Sequence, residues 1–178
     1  MTIREATIED APAIARVHVD SWHTTYKGIV PQRIIDRFTY EAREGLWRGI
    51  LGSENDSFVY VAEEGGQVVG FACGGPAREY EAPNHAGQLY SIYILQEHQG
   101  RGIGRRLFDA VVRELARLGL HSMAVWVIAD NPACGFYEAM GGRKVYERQE
   151  PADEVMLDEI GYGWDDIRPL AAGPAQEV

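Results

Sequence analysis

The run Gln99-Gly100-Arg101-Gly102-Ile103-Gly104-Arg105-Arg106 limits what this chain can fold into more than any other stretch. Before it, Leu89 to Leu95 reads as a strand. After it, Ile103, Leu107, Val111, Leu115 and Leu118 recur at helical spacing and predict a core-facing helix that Gly119 ends. Glycines between a strand and a helix let the backbone approach a ligand closely. The helix start adds unpaired N–H groups and the positive end of its dipole. Together these form an anion site, most naturally for phosphate. Gly100, Gly102 and Gly104 alternate, so the dinucleotide fingerprint does not fit. No Gly-Lys-Ser or Gly-Lys-Thr follows, so the P-loop pattern fails too.

The remaining elements alternate in type. Ile3 to Ala6 is a short strand, and Thr7 is an N-cap with an acid three residues on. Ala11, Ile14, Val17, Ser21 and Trp22 lie near one face of the first helix. A second helical region runs from about Pro31 to Leu51, with breaks expected near Gly45 and Gly49. Phe58 to Glu63 and Gln67 to Cys73 form a hairpin across Gly65-Gly66. Arg78 to Gly87 reads as a polar loop, and Met123 to Ile128 as a strand. Asn131-Pro132 opens a short helix that carries Phe136, Tyr137 and Met140 and stops at Gly141-Gly142. Lys144 to Arg148 and Val155 to Tyr162 are the last strands. This order predicts an α/β (α+β) domain with a mixed sheet over residues 1–168, and a mobile tail over 169–178.

Composition excludes several classes. The 178 residues suit one domain, and 46% apolar content supplies a core. A net charge of −10 argues against nucleic acid, whose phosphates demand clustered Lys and Arg. The acidity reads either as solubility or as an acidic face that draws a cationic acceptor such as an amine. No apolar run approaches a membrane span, and Met1 to Glu5 does not start like a signal peptide. Cys73 and Cys134 give neither a disulfide framework nor a metal spacing, so a reduced, cytoplasmic protein without membrane contact is expected. The five histidines show no zinc spacing, and no metal is predicted.

Gln99-x-x-Gly102-x-Gly104 resembles the Q/R-x-x-G-x-G/A signature of the GCN5-related N-acetyltransferases (GNAT). Leu89 to Ile94 is similar to that family's central strand, and Asp130 to Gly142 to its next segment. The resemblance implies the GNAT fold: a mostly antiparallel sheet, splayed at its middle strands and flanked by helices. It implies acetyl-CoA as cofactor. Backbone groups of Ile92, Tyr93 and Ile94 would meet the pantetheine amides, and Gln99, Gly100, Arg101, Gly102, Ile103 and Gly104 would hold the pyrophosphate. Arg105 or Arg106 would add charge, and Asn131 would bond the cofactor arm. Tyr137 would protonate the leaving thiolate; a phenol with an ordinary pKa near 10 suits donation better than acting as a base.

The implied reaction is acetyl transfer to a primary amine (a small amine, amino acid or polyamine) within a ternary complex. The alternative is a CoA-binding sensor that does not catalyse. Gln88 stands where many relatives carry a glutamate base, and Gln cannot take a proton. Glu79, Glu81, His85, His18, Asp20, His23 or an ordered water chain remain as bases. The resemblance implies that Trp22 and Tyr26 line the acceptor pocket, with Asp20 helping to hold a cation; alternatively, Trp22 closes the core at the end of the first helix. Cys134 near a helix start would need a positioned base to act covalently, and none is fixed by the sequence. The resemblance also implies a homodimer, which apolar residues around Val155 to Trp164 would permit.

Overall fold

The computed structural model describes residues 1–173. Its strands are β1 (Thr2–Glu5), β2 (Phe58–Glu64), β3 (Gln67–Pro76), β4 (Gly87–Ile94), β5 (Met123–Ile128), β6 (Arg143–Ala152) and β7 (Val155–Trp164). They form one seven-stranded sheet in the order β1-β2-β3-β4-β5-β7-β6. Every neighbouring pair is antiparallel except β4 and β5. The helices are α1 (Ala11–Thr25), α2 (Gln32–Ile35), α3 (Tyr40–Gly52), α4 (Ile103–Arg117), α5 (Ala133–Ala139) and α6 (Arg168–Ala171).

The sheet forks in its middle. β4 and β5 pair only at Gly87–Met123 and Gln88–Ala124. Beyond that point β4 stays with β3 as far as the Gly70–Ile94 pair, and β5 stays with β7 as far as Ile128–Glu159. A bulge sits just past the fork: Cys73 faces Ser91 and Gly74 faces Leu89, so Tyr90 is the extra residue.

Side-chain alternation along the strands separates two layers. A Cβ on Gly70 or Gly74 would meet Leu107 or Val111 of α4. Phe71, between them, packs on the opposite face against His18 of α1 and Trp47 of α3, at ring distances of 5.7 and 4.9 Å. The α4 stripe of Leu107, Val111 and Leu115 is fully buried, as its spacing predicts. Leu118, assigned to that stripe from sequence, lies past the last helical residue and is 45% exposed. Gly119 follows with φ +79°, the left-handed conformation that ends a helix on glycine.

The second helical region departs from expectation. Its break falls at residues 36–39, not at Gly45 or Gly49, which both sit inside α3. Thr39 restarts the helix by accepting the Ala42 amide on its hydroxyl at 3.3 Å, and buried Trp47 holds α3 on the core. That anchorage outweighs the ~1 kcal/mol cost of an interior glycine. Residues 168–171 form a helical turn rather than loose tail, with Ile167 buried beside it; residues 174–178 of the expected tail lie outside the described set. Of the apolar residues suggested as a dimer face, Val155 and Met156 are exposed, while Tyr162 and Trp164 belong to the core.

Replacing Leu107 by Ala removes a fully buried contact between α4 and β3. A loss of about 2–5 kcal/mol in urea denaturation is expected; a loss below about 1 kcal/mol would show that α4 is not anchored there.

Candidate active site

A cleft of about 690 Å³ opens where β4 and β5 part. Ser91 to Ile94 form one wall and Val125 to Val127 the other. On the cleft side neither segment has a strand partner, so both present backbone N–H and C=O groups. Such groups demand partners if they are to be covered, and an extended amide-bearing chain supplies them in the manner of an added strand.

The glycine loop closes one end of the cleft. Gly100 and Gly102 take φ values of +71° and +77°, which only glycine adopts without strain. These turns aim the first amides of α4 inward, and Gly100, Gly102, Ile103, Gly104 and Arg105 all border the cleft. Gln99 donates its side-chain amide to the Ile94 carbonyl at 3.0 Å, fastening the loop to the end of β4. A side chain at Gly104 would press on Ile94 at 3.2 Å. Loop amides, a helix N-terminus and the Arg105 guanidinium, unpaired among the described residues, suit a phosphate-bearing group. Arg101, expected to join them, points elsewhere: Glu64 at the β2 end binds it at 2.7 Å, and it does not border the cleft. His98 also binds Glu64, at 3.0 Å.

Midway along the cleft stand Asn131 and Tyr137. The Asn131 carbonyl oxygen accepts the Ala133 amide at 2.9 Å and so starts α5; its amide donates to the Tyr26 hydroxyl at 3.2 Å. Tyr137 is 5% exposed, and its hydroxyl has no hydrogen-bond partner among the described residues. Burial pushes its pKa well above the ordinary phenol value, with nearby Tyr26 and Cys134 adding to the shift. Tyr26 and Tyr93 are raised by burial as well. All three phenols therefore keep their protons at neutral pH.

On the opposite face of the sheet the aromatic residues split in role. Tyr26 borders the cleft. Trp22 does not: it stacks on Phe38 at 3.7 Å and donates its indole N–H to the Tyr93 hydroxyl at 3.0 Å, so it braces the wall rather than forming it. Asp20 is taken up by the Tyr40 hydroxyl at 2.5 Å, away from the aromatic faces expected to share a cation with it. The hairpin of β6 and β7 reaches over α2, where Asp153 at its tip pairs with Arg33 at 2.9 Å and Arg37 at 3.3 Å.

None of the six candidate bases borders the cleft. Glu81 is gripped by the Gln88 amide at 2.5 Å and by Arg78 at 3.3 Å. His85 is bound to the Tyr146 hydroxyl at 2.9 Å. Glu79 and His23 are exposed on the surface. His18 accepts the Trp47 indole N–H on Nδ1 at 3.1 Å, so its lone pair is already used. Cys134 is held near the Ile128 and Ala129 carbonyls, with no base beside it. Among the described residues no cluster of His, Cys, Asp and Glu could hold a metal ion, and no helix is long and apolar enough to cross a membrane. The cleft also uses residues that sequence reasoning missed. Ser91, Val125, Val127 and Phe136 line it, and the alternation of Val125 and Val127 within β5 was the available signal.

The acetyltransferase (GNAT) family model matches residues 19–142, which takes in the glycine loop, the forked strands and Tyr137. The chain belongs to the GNAT family. It is 42% identical over 171 residues to an uncharacterised N-acetyltransferase, YuaI, of Bacillus subtilis, covering 96% of both chains. An L-methionine sulfoximine/L-methionine sulfone acetyltransferase of Salmonella typhimurium is 32% identical over 138 residues, covering 75% of this chain and 74% of that one. The solved structure of the acetyltransferase yncA of Salmonella typhimurium with its cofactor acetyl-CoA superposes with a TM-score of 0.68 at 25% identity, covering 92% of each chain. This GNAT protein is accordingly an N-acetyltransferase with acetyl-CoA as its cofactor. The observed cleft fits that cofactor: an extended open backbone edge for the amide-bearing arm, and a cluster of free amides for the phosphates.

Burial also gives the aromatic layer behind the cleft a pH signature. The His18 ring, enclosed by Phe38, Trp47, Phe71 and Tyr93, has its pKa pushed down to about 4, by burial first and by the Arg43 charge second. The unfolded chain therefore takes up a proton near pH 6.5 that the folded ring refuses. Its contribution is fully present above about pH 6.5 and is lost as pH falls toward 4. Going from pH 7 to pH 5 should cost about 2 kcal/mol in urea denaturation from this ring. The slope should flatten in His18→Gln; an unchanged slope would remove His18 as its source.

Proposed function

We propose that this GNAT enzyme acetylates the primary amine of a small molecule by direct transfer in a ternary complex. The observation that carries the reading is buried, protonated Tyr137, whose hydroxyl has no hydrogen-bond partner among the described residues, in the cleft where β4 and β5 part. Bound acetyl-CoA supplies an activated acetyl thioester. The free backbone edge of Ile92 to Ile94 binds its amide arm, while the amides of Gly100 to Gly104 and the Arg105 side chain hold its phosphates. Amides of the β4 wall favour negative charge developing on the thioester carbonyl oxygen. Tyr137 delivers its proton to the departing sulfur, and its raised pKa keeps that proton in place until the thiolate forms. With all six candidate bases off the cleft, the acceptor nitrogen loses its proton to water.

The acceptor enters from the side of Tyr26, at the α1–α2 connection. The Salmonella typhimurium relative named for L-methionine sulfoximine and L-methionine sulfone makes amino acids the first acceptors to try. A sensor that only binds CoA would have no use for a proton donor held free of other bonds.

A thiol-release assay with acetyl-CoA and a panel of amines tests this reading. Turnover with at least one amine class is expected. Tyr137→Phe should lower kcat by on the order of 10²- to 10⁴-fold while calorimetric CoA binding persists. Unchanged kcat in that variant would remove Tyr137 from the chemistry.

A further inference from the structure

Among the described residues, three side-chain atoms are sealed from solvent without a hydrogen-bond partner: Ser21 Oγ, Arg43 Nε and His85 Nε2. Of these three residues, Ser21 alone borders the cleft. It is 1% exposed and continues the buried face of α1 that Ile14, Val17 and His18 begin. A serine inside a helix ordinarily donates back to a carbonyl of the turn before it. Thr24 does so, to the Asp20 carbonyl at 3.0 Å. Ser21 does not, so its hydroxyl keeps its proton and its lone pairs unspent. The packing of the fold makes no use of that hydroxyl, and a buried polar group left unmatched costs stability.

The surroundings of Ser21 decide what that hydroxyl serves. Thr24, Thr25 and Tyr26 border the cleft with it, at the end where α1 stops. Among the described residues no backbone N–H bonds to the Thr24 or Thr25 carbonyl. The negative end of the helix dipole therefore stands uncapped at this wall. It favours a group on which positive charge develops and disfavours an oxyanion. An attacking amine is such a group, because its nitrogen gains positive charge as the C–N bond forms. The amine also needs an oxygen to accept one N–H, since that bond sets the direction of the nitrogen lone pair. Two phenol oxygens of the cleft are already taken. Tyr26 accepts the Asn131 amide at 3.2 Å, and Tyr93 accepts the Trp22 indole N–H at 3.0 Å. No Asp, Glu or Lys borders the cleft. We infer that Ser21 seats the acceptor's amino nitrogen: its Oγ accepts an N–H and turns the lone pair toward the thioester carbon. This rests on the acetyl-transfer reading above and adds to it the residue that receives the amine. Ser21 holds the nitrogen, and the proton released after attack still passes to water.

The test is a thiol-release assay of the wild type, Ser21→Ala and Ser21→Thr. It uses acetyl-CoA and each amine that the wild type turns over, L-methionine sulfone first. Ser21→Ala should lower kcat/KM for the amine by about 10-fold, the order of one lost hydrogen bond. Calorimetric affinity for acetyl-CoA should stay near wild type. The thermal midpoint of Ser21→Ala should equal or exceed that of the wild type, because alanine suits a helix better and removes a hydroxyl that the fold leaves unmatched. Ser21→Thr, which keeps the hydroxyl, should restore much of the rate with the amine; if it fails to fold, Ser21→Ala alone decides. An unchanged kcat/KM for the amine in Ser21→Ala would overturn the inference. A lowered thermal midpoint would overturn it too, by showing the hydroxyl bonded within the fold. An equal loss of acetyl-CoA affinity would do the same, by placing the hydroxyl on the cofactor. No turnover by the wild type with any amine would strike the acetyl-transfer reading itself, and this inference with it.

Discussion

Two strands that begin as neighbours and then separate dictate the rest of this structure. β4 and β5 share only the Gly87–Met123 and Gln88–Ala124 pairs. A gap in the middle of a sheet leaves two rows of backbone polar groups that no side chain can fully satisfy. The fork persists because each strand is held firmly on its far side, β4 by β3 and β5 by β7. The buried stripe of α4 packs beneath β3 and β4 and starts where the gap ends, which puts the first amides of the helix in line with the open edges.

What the sequence made legible was local. The glycine loop, the α4 stripe, the Gly65-Gly66 hairpin and the start of α5 at Asn131 each depend on residues a few positions apart. What stayed hidden depended on distant partners. Arg101 reads as a phosphate ligand until Glu64, brought close by the β2–β3 turn, claims it. Trp22 reads as a pocket wall until Phe38 covers it, and Phe38 sits in a short connection with no periodicity to announce it. Gly45 and Gly49 looked like breaks because propensity is a weak prior beside the packing of Trp47.

The two sides of the sheet make different physical demands. On the α4 side the cleft is bounded by main-chain amides and turns. On the α1 and α3 side lies a packed set of rings and hydroxyls: His18, Trp22, Tyr26, Phe38 and Tyr93. His18 kept neutral, Tyr93 kept protonated and Arg43 left without an anion all follow from burial in that layer.

The extra residue at Tyr90 works as a frame shift. Ahead of it, Gly87 and Leu89 turn toward α4 while Gln88 turns the other way to meet Glu81. Past it, Ile94 turns toward α4, and Tyr93 turns toward His18 and Trp22. Because a strand has a period of two, one inserted residue swaps which positions serve which side. The odd positions that begin β4 build the core under α4; the odd positions that end it face α1. Run without the bulge, the unchanged sequence would turn Tyr93 toward α4 and Ile94 toward His18 and Trp22.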